Sequence, residues 1–428
     1  MNPVVPRRHF LKQTSVAAGF AALGGFNILH AQERSTKKLL VGIMGCNNRG
    51  MDHIKGYLAV PNIEIGYICD VDRRVVEKGI AAVAAKQSRA PKGTDDFRRM
   101  LEDKEVDAIS IAAPDHWHAP ATILACQAGK HVYVEKPGSH NAHESEMMIT
   151  AARDTKSAVQ MGNQRRSWPW VIEAISALHA GEIGKVNFAR AWYTNHRPTI
   201  GRGKPSPVPE WLNYDLWQGP APAREFRDNI LHYNWHWFWN WGTGELGNNG
   251  VHALDLARWG LQADLPKRVT CGGNRYHFQD DWETPDTTVA TFDFGNCFIV
   301  WEGQSCDPRG FEDVGFGVNF YGEKGVMVIA ADVCRVLDLN GKPIREVKGK
   351  RADAAHFGNF SDAIRDGKKL NAEIEEGQKA TMLCHLGNIA WRTGQTVDYD
   401  PVAKEMKNGG EARALWRREY RKGWEPKT

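Results

Sequence analysis

The spacing of apolar and polar positions changes character near residue 160. Before it, short apolar runs alternate with stretches of helical period. LLVGIMG (39–45), IEIGYICD (63–70) and VDAISIAAP (106–114) read as buried strands. CNNRGMDHIKGYL (46–58) reads as a turn into a helix, and RRVVEKGIAAVAAKQ (73–87) has helical period. HAPATILACQAGKHVYVEKP (118–137) reads as a helix followed by a strand. Strands alternating with helices imply right-handed βαβ units on a parallel sheet.

Beyond residue 160 the period shortens to two. GKVNFARAWYTN (184–195), RVTCGGNRYHF (268–278), TTVATFDFG (287–295), CFIVWEGQS (297–305) and FGVNFYGEKGVMVIAA (316–331) predict strands without intervening helices. A Pro- and Trp-rich excursion (197–240) and a helix (250–260) lie between the first of these and the rest. Two amphipathic helices, in 357–369 and 375–394, close the pattern. The expected fold class is α/β: an N-terminal dinucleotide-binding domain over 38–158, and an α+β domain over 159–400 with a large, mostly antiparallel open sheet. Residues 401–428 are expected to be a tail.

Composition adds a compartment. The chain has 428 residues, 42% of them hydrophobic and 25% charged, enough for two domains. Its opening, PRRHFLKQTSVAAGFAALGGFNILHA, sets Arg7 and Arg8 before an uncharged small-residue run. This looks like a twin-arginine signal over 1–31, with cleavage near Ala31, a linker over 32–37 and a periplasmic destination. The alternative is an uncleaved anchor. The formal charge is +4, of which Arg7, Arg8 and Lys12 supply three, so the mature chain is near neutral and argues for no nucleic acid. The 8 cysteines form no C-x-x-C pair and read as buried thiols, and no metal-ligand spacing stands out. The 16 tryptophans, concentrated between 168 and 259, suit either a core or a carbohydrate cleft.

GIMGCNNRG carries the nucleotide chemistry. Gly45 and Gly50 match G-x-G-x-x-G, with Asn47 at the middle position; Asn tolerates a left-handed backbone, so the turn can survive. Asn48 and Arg49 follow at a helix start that offers free N–H groups to an anion. Asp70 ends the next strand, 20 residues after Gly50. An acid there accepts ribose hydroxyls and repels a 2′-phosphate, which favours NAD over NADP, although Arg73 and Arg74 stand nearby.

With VYVEKPGSH (132–140), APDHWHAP (113–120), CQAGKHVYVEKP (126–137) and GNQRRS (162–167), the chain resembles the Gfo/Idh/MocA oxidoreductases from about 38 to 400. The resemblance implies that Lys136 hydrogen-bonds the reacting oxygen and that Glu135 is more structural. It also implies that Pro114, His118 and Gln164 stand near the cofactor. The family's D-x-x-x-H pattern falls on GTGELGNNGVHALDLARW (242–259). His252 takes the place of its acid/base histidine, and Asn248 stands where the family has the acid. An amide can orient a hydroxyl but cannot take a proton. Asp255 is expected either to support His252 or to pair with Arg258 at the surface. Tyr193, His196, Trp235 and Trp237 are weaker substrate candidates; the two tryptophans and Trp239, spaced by two, would share a strand face.

Three readings follow. The leading one is an exported NAD-dependent oxidoreductase of a sugar, cyclitol or glycoside, moving hydride with His252 on the hydroxyl proton. The second is a glycoside hydrolase using NAD catalytically by oxidation, elimination, hydration and reduction. The third is a non-catalytic sugar-binding protein. Export after folding implies a tightly bound nucleotide that is regenerated in place. The expected partners are a small carbohydrate, the twin-arginine translocon, and a second copy of the chain through the C-terminal sheet.

Overall fold

The computed structural model describes residues 38–428; the signal and linker expected over 1–37 lie outside the described residues. The first half carries the alternation of strands and helices that the pattern predicts, with further short elements. In chain order it runs β1 (Leu39–Met44), α1 (Asn48–Leu58), β2 (Ile63–Cys69), α2 (Arg73–Ala84), β3 (Lys92–Thr94), α3 (Arg98–Glu102) and β4 (Ala108–Ile111). It continues through α4 (Asp115–Gln127), β5 (His131–Val134), α5 (Ala142–Thr155) and β6 (Val159–Met161). The six strands are parallel, in the order β3-β2-β1-β4-β5-β6. The chain leaves β1 in opposite directions toward β2 and β4, so a crevice opens at the carboxyl ends of β1 and β4, where ligands of such sheets bind.

The second half contains α6 (Pro169–His179), β7 (Val186–Thr194), α7 (Tyr214–Gln218), α8 (Val251–Leu261) and β8 (Arg268–Asn274). Then come β9 (Thr287–Asp293), β10 (Phe298–Gln304), β11 (Phe316–Gly322), β12 (Gly325–Ala330), β13 (Val333–Leu337) and β14 (Pro343–Lys348). The chain ends with α9 (Asp353–Asp366), α10 (Ile374–Thr393), β15 (Val397–Asp400), β16 (Glu405–Met406) and α11 (Gly410–Ala414). Ten strands form one sheet, β14-β13-β12-β11-β7-β10-β9-β8-β15-β16. Only the β7–β10 pair is parallel; the other pairs are antiparallel. Alternation along β7 turns Ala189 and Ala191 toward the main core and leaves Val186, Phe188 and Arg190 half-buried. Helices α6 and α8 contact this sheet.

Two boundaries differ from those expected. The parallel sheet runs through Met161, three residues past 158, because β6 pairs with β5. The chain also returns: Phe357 and Phe360 of α9 pack with Tyr57 and Tyr133 in a core of the first domain. Burying each such ring is worth about 1.5–3 kcal/mol. The tail, 401–428, packs back onto the first domain. The Tyr420 hydroxyl donates to Glu144 (2.7 Å) and Trp424 meets Trp117 edge-on (5.3 Å). All eight cysteines are free thiols, seven of them buried.

Candidate active site

The glycine turn between β1 and α1 forms one wall of a cleft of about 300 Å³ at the crevice. Gly45 has φ +81°, and a Cβ there would stand 2.6 Å from the Ala112 carbonyl. A Cβ on Gly50 would stand 1.9 Å from the Gly45 oxygen, so Gly50 packs the helix onto the turn and does not line the cleft. Asn47 lies at φ −68°, ψ 170°. The middle position is therefore extended, and the expected left-handed tolerance of Asn is not called on; φ below zero is open to any residue. Asn47, Asn48 and Arg49 line the cleft with Asp70 and Pro114.

Asp70 is fastened to this turn. Its Oδ2 accepts the Cys46 N–H (2.7 Å) and its Oδ1 the Asp72 N–H (3.0 Å). Burial pushes its pKa up. Each oxygen keeps a further lone pair for another donor. Arg74 is occupied: it pairs with Asp72 (2.7 Å) and stacks on Trp211 (3.5 Å).

At the end of β5, Glu135 is buried under three donors. Its Oε1 accepts from Arg49 Nε (2.8 Å), His53 Nε2 (2.9 Å) and Gln164 Nε2 (2.9 Å). Burial alone would raise its pKa, but Arg49, His53 and Lys136 hold it well below the usual carboxylate range. Gln164 also donates to the Tyr133 hydroxyl and lies behind the cleft, supporting Glu135. His118 does line the cleft; its ring nitrogens stand 2.6 Å from the Pro137 oxygen and 2.7 Å from the Ala113 oxygen, tying two loops together. The Lys136–Pro137 peptide bond is cis.

Lys136 Nζ donates to the Asn248 carbonyl (2.7 Å) and to Asn248 Oδ1 (3.1 Å). Asn248 belongs to the π-helical turn Leu246–Gly250 that enters α8. Burial draws the Lys136 ammonium below its ordinary pKa, with Glu135, Asp115 and Glu245 opposing. The Asn248 amide donates to Glu245 Oε1 (3.4 Å) and the Tyr233 hydroxyl (3.3 Å), which turns its oxygen toward Lys136. Arg197 clamps Glu245 (2.6 Å), and Asn249 and Ser305 (3.1 Å) add further donors. His252 has no hydrogen-bond partner among the described residues. Burial, then Arg165 and Lys136, hold its ring well below the ordinary histidine value, so it is neutral at pH 7.

Other expectations change. Asp255 is buried and grips Arg166 with both oxygens (2.8–3.0 Å). It supports neither His252 nor Arg258, which pairs with Glu376 (2.6 Å). Buried in this way, Asp255 is not a substrate contact. Trp235 and Trp237 share no strand face, because Asn234–Trp237 is a 3₁₀ turn. Trp235 lines the cleft, stacked on His236 (3.6 Å). Trp237 is buried against Trp282 (3.9 Å). The Tyr193 hydroxyl accepts from Asn195 (2.8 Å) and Arg197 (3.4 Å) beside the site. His196 is exposed and stands outside the lining of the cleft. Sequence reasoning missed Arg197, Tyr233 and Glu245. Glu245 stands three residues before Asn248 and was accessible to a helical-turn argument; Arg197, 48 residues away, carried no local signal.

Comparison with known proteins agrees with this geometry. Residues 39–163 match the family model "Oxidoreductase family, NAD-binding Rossmann fold" and 150–426 match "Oxidoreductase family, C-terminal alpha/beta domain". A glycosyl hydrolase family 109 protein of Saccharopolyspora erythraea is 28% identical over 253 residues, 52% of this chain and 55% of the relative. Levoglucosan dehydrogenase of Pseudarthrobacter phenanthrenivorans is 26% identical over 226 residues, 52% of this chain and 51% of the relative. The chain thus matches about half the length of these curated relatives. A levoglucosan dehydrogenase structure with NADH and levoglucosan superposes with a TM-score of 0.68 at 18% identity, covering 85% of this chain and 99% of that one. The paired domains, the glycine turn over the crevice and the two family matches lead to one conclusion: the chain belongs to the Gfo/Idh/MocA oxidoreductase family and carries its NAD-binding Rossmann domain.

Proposed function

We propose that the protein is a sugar oxidoreductase that keeps its NAD through the catalytic cycle. The observation that carries this reading is Lys136, whose ammonium is held by Asn248 in the cleft above the glycine turn. The turn fits a dinucleotide, since Gly45 leaves a space that a Cβ would close against Ala112. Asp70 would hold the ribose hydroxyls, and its charge, with Arg74 already neutralised by Asp72, favours NAD over NADP. Bound NAD supplies a hydride acceptor for a carbinol carbon, and in a redox-neutral cycle a donor that returns the hydride. Lys136 would donate a hydrogen bond to the reacting oxygen as charge grows on it. His252, neutral and without an internal partner, would accept the hydroxyl proton. Asn248 orients Lys136 and takes no proton.

A second reading is favoured by the relatives' names: several curated relatives are called glycosyl hydrolase family 109 proteins. A cycle that oxidises, eliminates the aglycone, adds water and reduces again would use the same Lys136 and His252. For assembly, the face of the large sheet that carries Phe188, Phe298 and Tyr321 in ring contact suits a second copy of the chain. Export through the twin-arginine translocon to the periplasm rests on Arg7, Arg8 and the run that follows. It gives a physical reason for a retained nucleotide, which must be loaded before the folded protein leaves the cytoplasm.

The test is to purify the mature protein, denature it and identify the nucleotide released. The same preparation is screened against free sugars and glycosides. NAD release with sugar oxidation supports the first reading; aglycone release with solvent deuterium at C2 supports the second. A nucleotide-free protein with no NADH affinity overturns both.

A further inference from the structure

Four arginines surround the site, and three are neutralised inside the fold. Arg49 pairs with Glu135 (2.8 Å), Arg166 with Asp255 (2.8 Å) and Arg197 with Glu245 (2.6 Å). Arg165 differs. It makes no ion pair and no side-chain hydrogen bond among the described residues. Its guanidinium lies 3.9 Å from the ring centre of Phe316 and 5.2 Å from that of Trp168. Such stacking holds the planar fork flat without using its N–H donors.

The surroundings of Arg165 repeat the imbalance. It lines a cavity of about 410 Å³ with Tyr193, Asn195, Asp332 and a second arginine, Arg351. Arg351 is exposed at the rim and is likewise unpaired among the described residues. The acids nearby do not answer these charges. Asp353 already accepts from Arg49 (3.4 Å) and from Trp168 Nε1 (3.1 Å), and Asp255 is held by Arg166. Asp332 is exposed and pairs with neither arginine. Burial, then Arg351, draws Arg165 down to about 10. A half-buried arginine beside a like charge is costly to leave unpaired unless something outside the fold completes it.

Hydrogen bonds link one wall of the cavity to the reacting groups. Arg165 is the foremost charged influence on His252. Tyr193, on the same wall, hydrogen-bonds Arg197, which clamps the Glu245 that orients Asn248 and Lys136.

We propose that Arg165, with Arg351 at the rim, binds an oxyanion carried by the substrate, so that the sugar is acidic: a hexuronate, or a sugar sulfate of the same reach. This rests on the reading of the protein as a sugar enzyme and narrows it. A planar fork meets a carboxylate with two parallel hydrogen bonds, and a neutral hydroxymethyl group cannot replace that contact.

The test measures calorimetric binding to the NADH-loaded full chain. The probes are D-glucuronate, D-galacturonate and their methyl glycosides, the matching neutral hexoses, and glucose and galactose 6-sulfates. At least one acidic sugar should bind tenfold or more tightly than its neutral partner, and salt should weaken the preference. Arg165→Gln should abolish the preference while leaving neutral-sugar binding and NADH affinity unchanged; Arg165→Lys should restore part of it, and Arg351→Gln should reduce it. The tighter arm, carboxylate or sulfate, identifies the oxyanion. Equal binding of acidic and neutral sugars, no binding of any acidic probe, or a preference that survives Arg165→Gln overturns the proposal. NADH fluorescence on the same samples separates this outcome from failure of the cofactor reading, since a chain that binds acidic sugars without NADH fails only the latter.

Discussion

The nucleotide cradle and the catalytic constellation lie side by side, yet they are made differently. The cradle is local. Gly45, Cys46, Gly50, Asp70 and Asp72 come from one βαβ unit, and their contacts are largely backbone to carboxylate. The constellation is assembled from afar: Lys136 meets Asn248 across 112 residues, and Arg197 meets Glu245 across 48. Local backbone sites are hard to retune but self-contained. Side-chain sites built from distant segments depend on every element that carries them.

Five experiments would break or sharpen this contrast. The largest effect is expected for Lys136→Met: turnover of the substrate found by screening should fall about 1000-fold, with NADH affinity nearly unchanged. A parallel loss of NADH binding would erase the division between the two regions. Gly50→Ala should do the reverse. Its Cβ would collide with the Gly45 carbonyl, and an overpacking cost of about 1–3 kcal/mol weakens NADH by roughly fivefold to 150-fold. Unchanged affinity would show that the turn can yield.

Glu245→Gln tests the long-range site. Losing the charge frees Arg197 and loosens the Asn248 amide, and kcat should fall about tenfold with unchanged NADH affinity. The pH profile should shift as well, because Glu245 is one of the charges that support the Lys136 ammonium. A purely structural role would lower the melting temperature without moving the profile. Asp70→Asn should weaken NAD about fivefold to tenfold and narrow its advantage over NADP; a larger loss of NADP than NAD would contradict the ribose assignment.

The last effect concerns the stability of the whole fold rather than either site. Burial draws His116 and His385 down to about 3 and His356 down to about 4. Each takes a proton in the unfolded chain near pH 6.5 but stays neutral in the folded one. Their contribution is therefore complete above about pH 6.5 and is lost as pH falls through the folded values. Each histidine should cost about 1.4 kcal/mol per pH unit within that window. Urea midpoints at pH 7.5, 6.0 and 5.0 measure it, and a flat profile would mean that these rings reach water.

Much of the fold was legible because secondary structure is written at short range. Apolar runs of strand length and 3.6-residue periods marked β1, β2, β4 and β5, while alternation marked β7 to β12. The short strands β3, β6 and β13 to β16 were not marked, since two to six residues carry little periodicity and form only beside a partner. The shared strand face suggested by the tryptophan spacing is a 3₁₀ turn at Asn234–Trp237, because aromatic spacing of two carries no information about the hydrogen bonding that closes the turn.

Within the site, sequence alone determined the residue types that matter: the glycine turn, an acid at the end of the second strand, a lysine before proline, and an amide where the family has an acid. Tertiary structure decided their partners. It gave Asp255 to Arg166 rather than to His252, turned the Asn248 amide through Glu245 so that its oxygen meets Lys136, and left Arg165 without an acid partner among the described residues. The physical reason is range. Backbone propensity acts over a few residues, whereas the pairing of a buried charge is settled by whichever opposite charge the packed elements bring within about 3 Å.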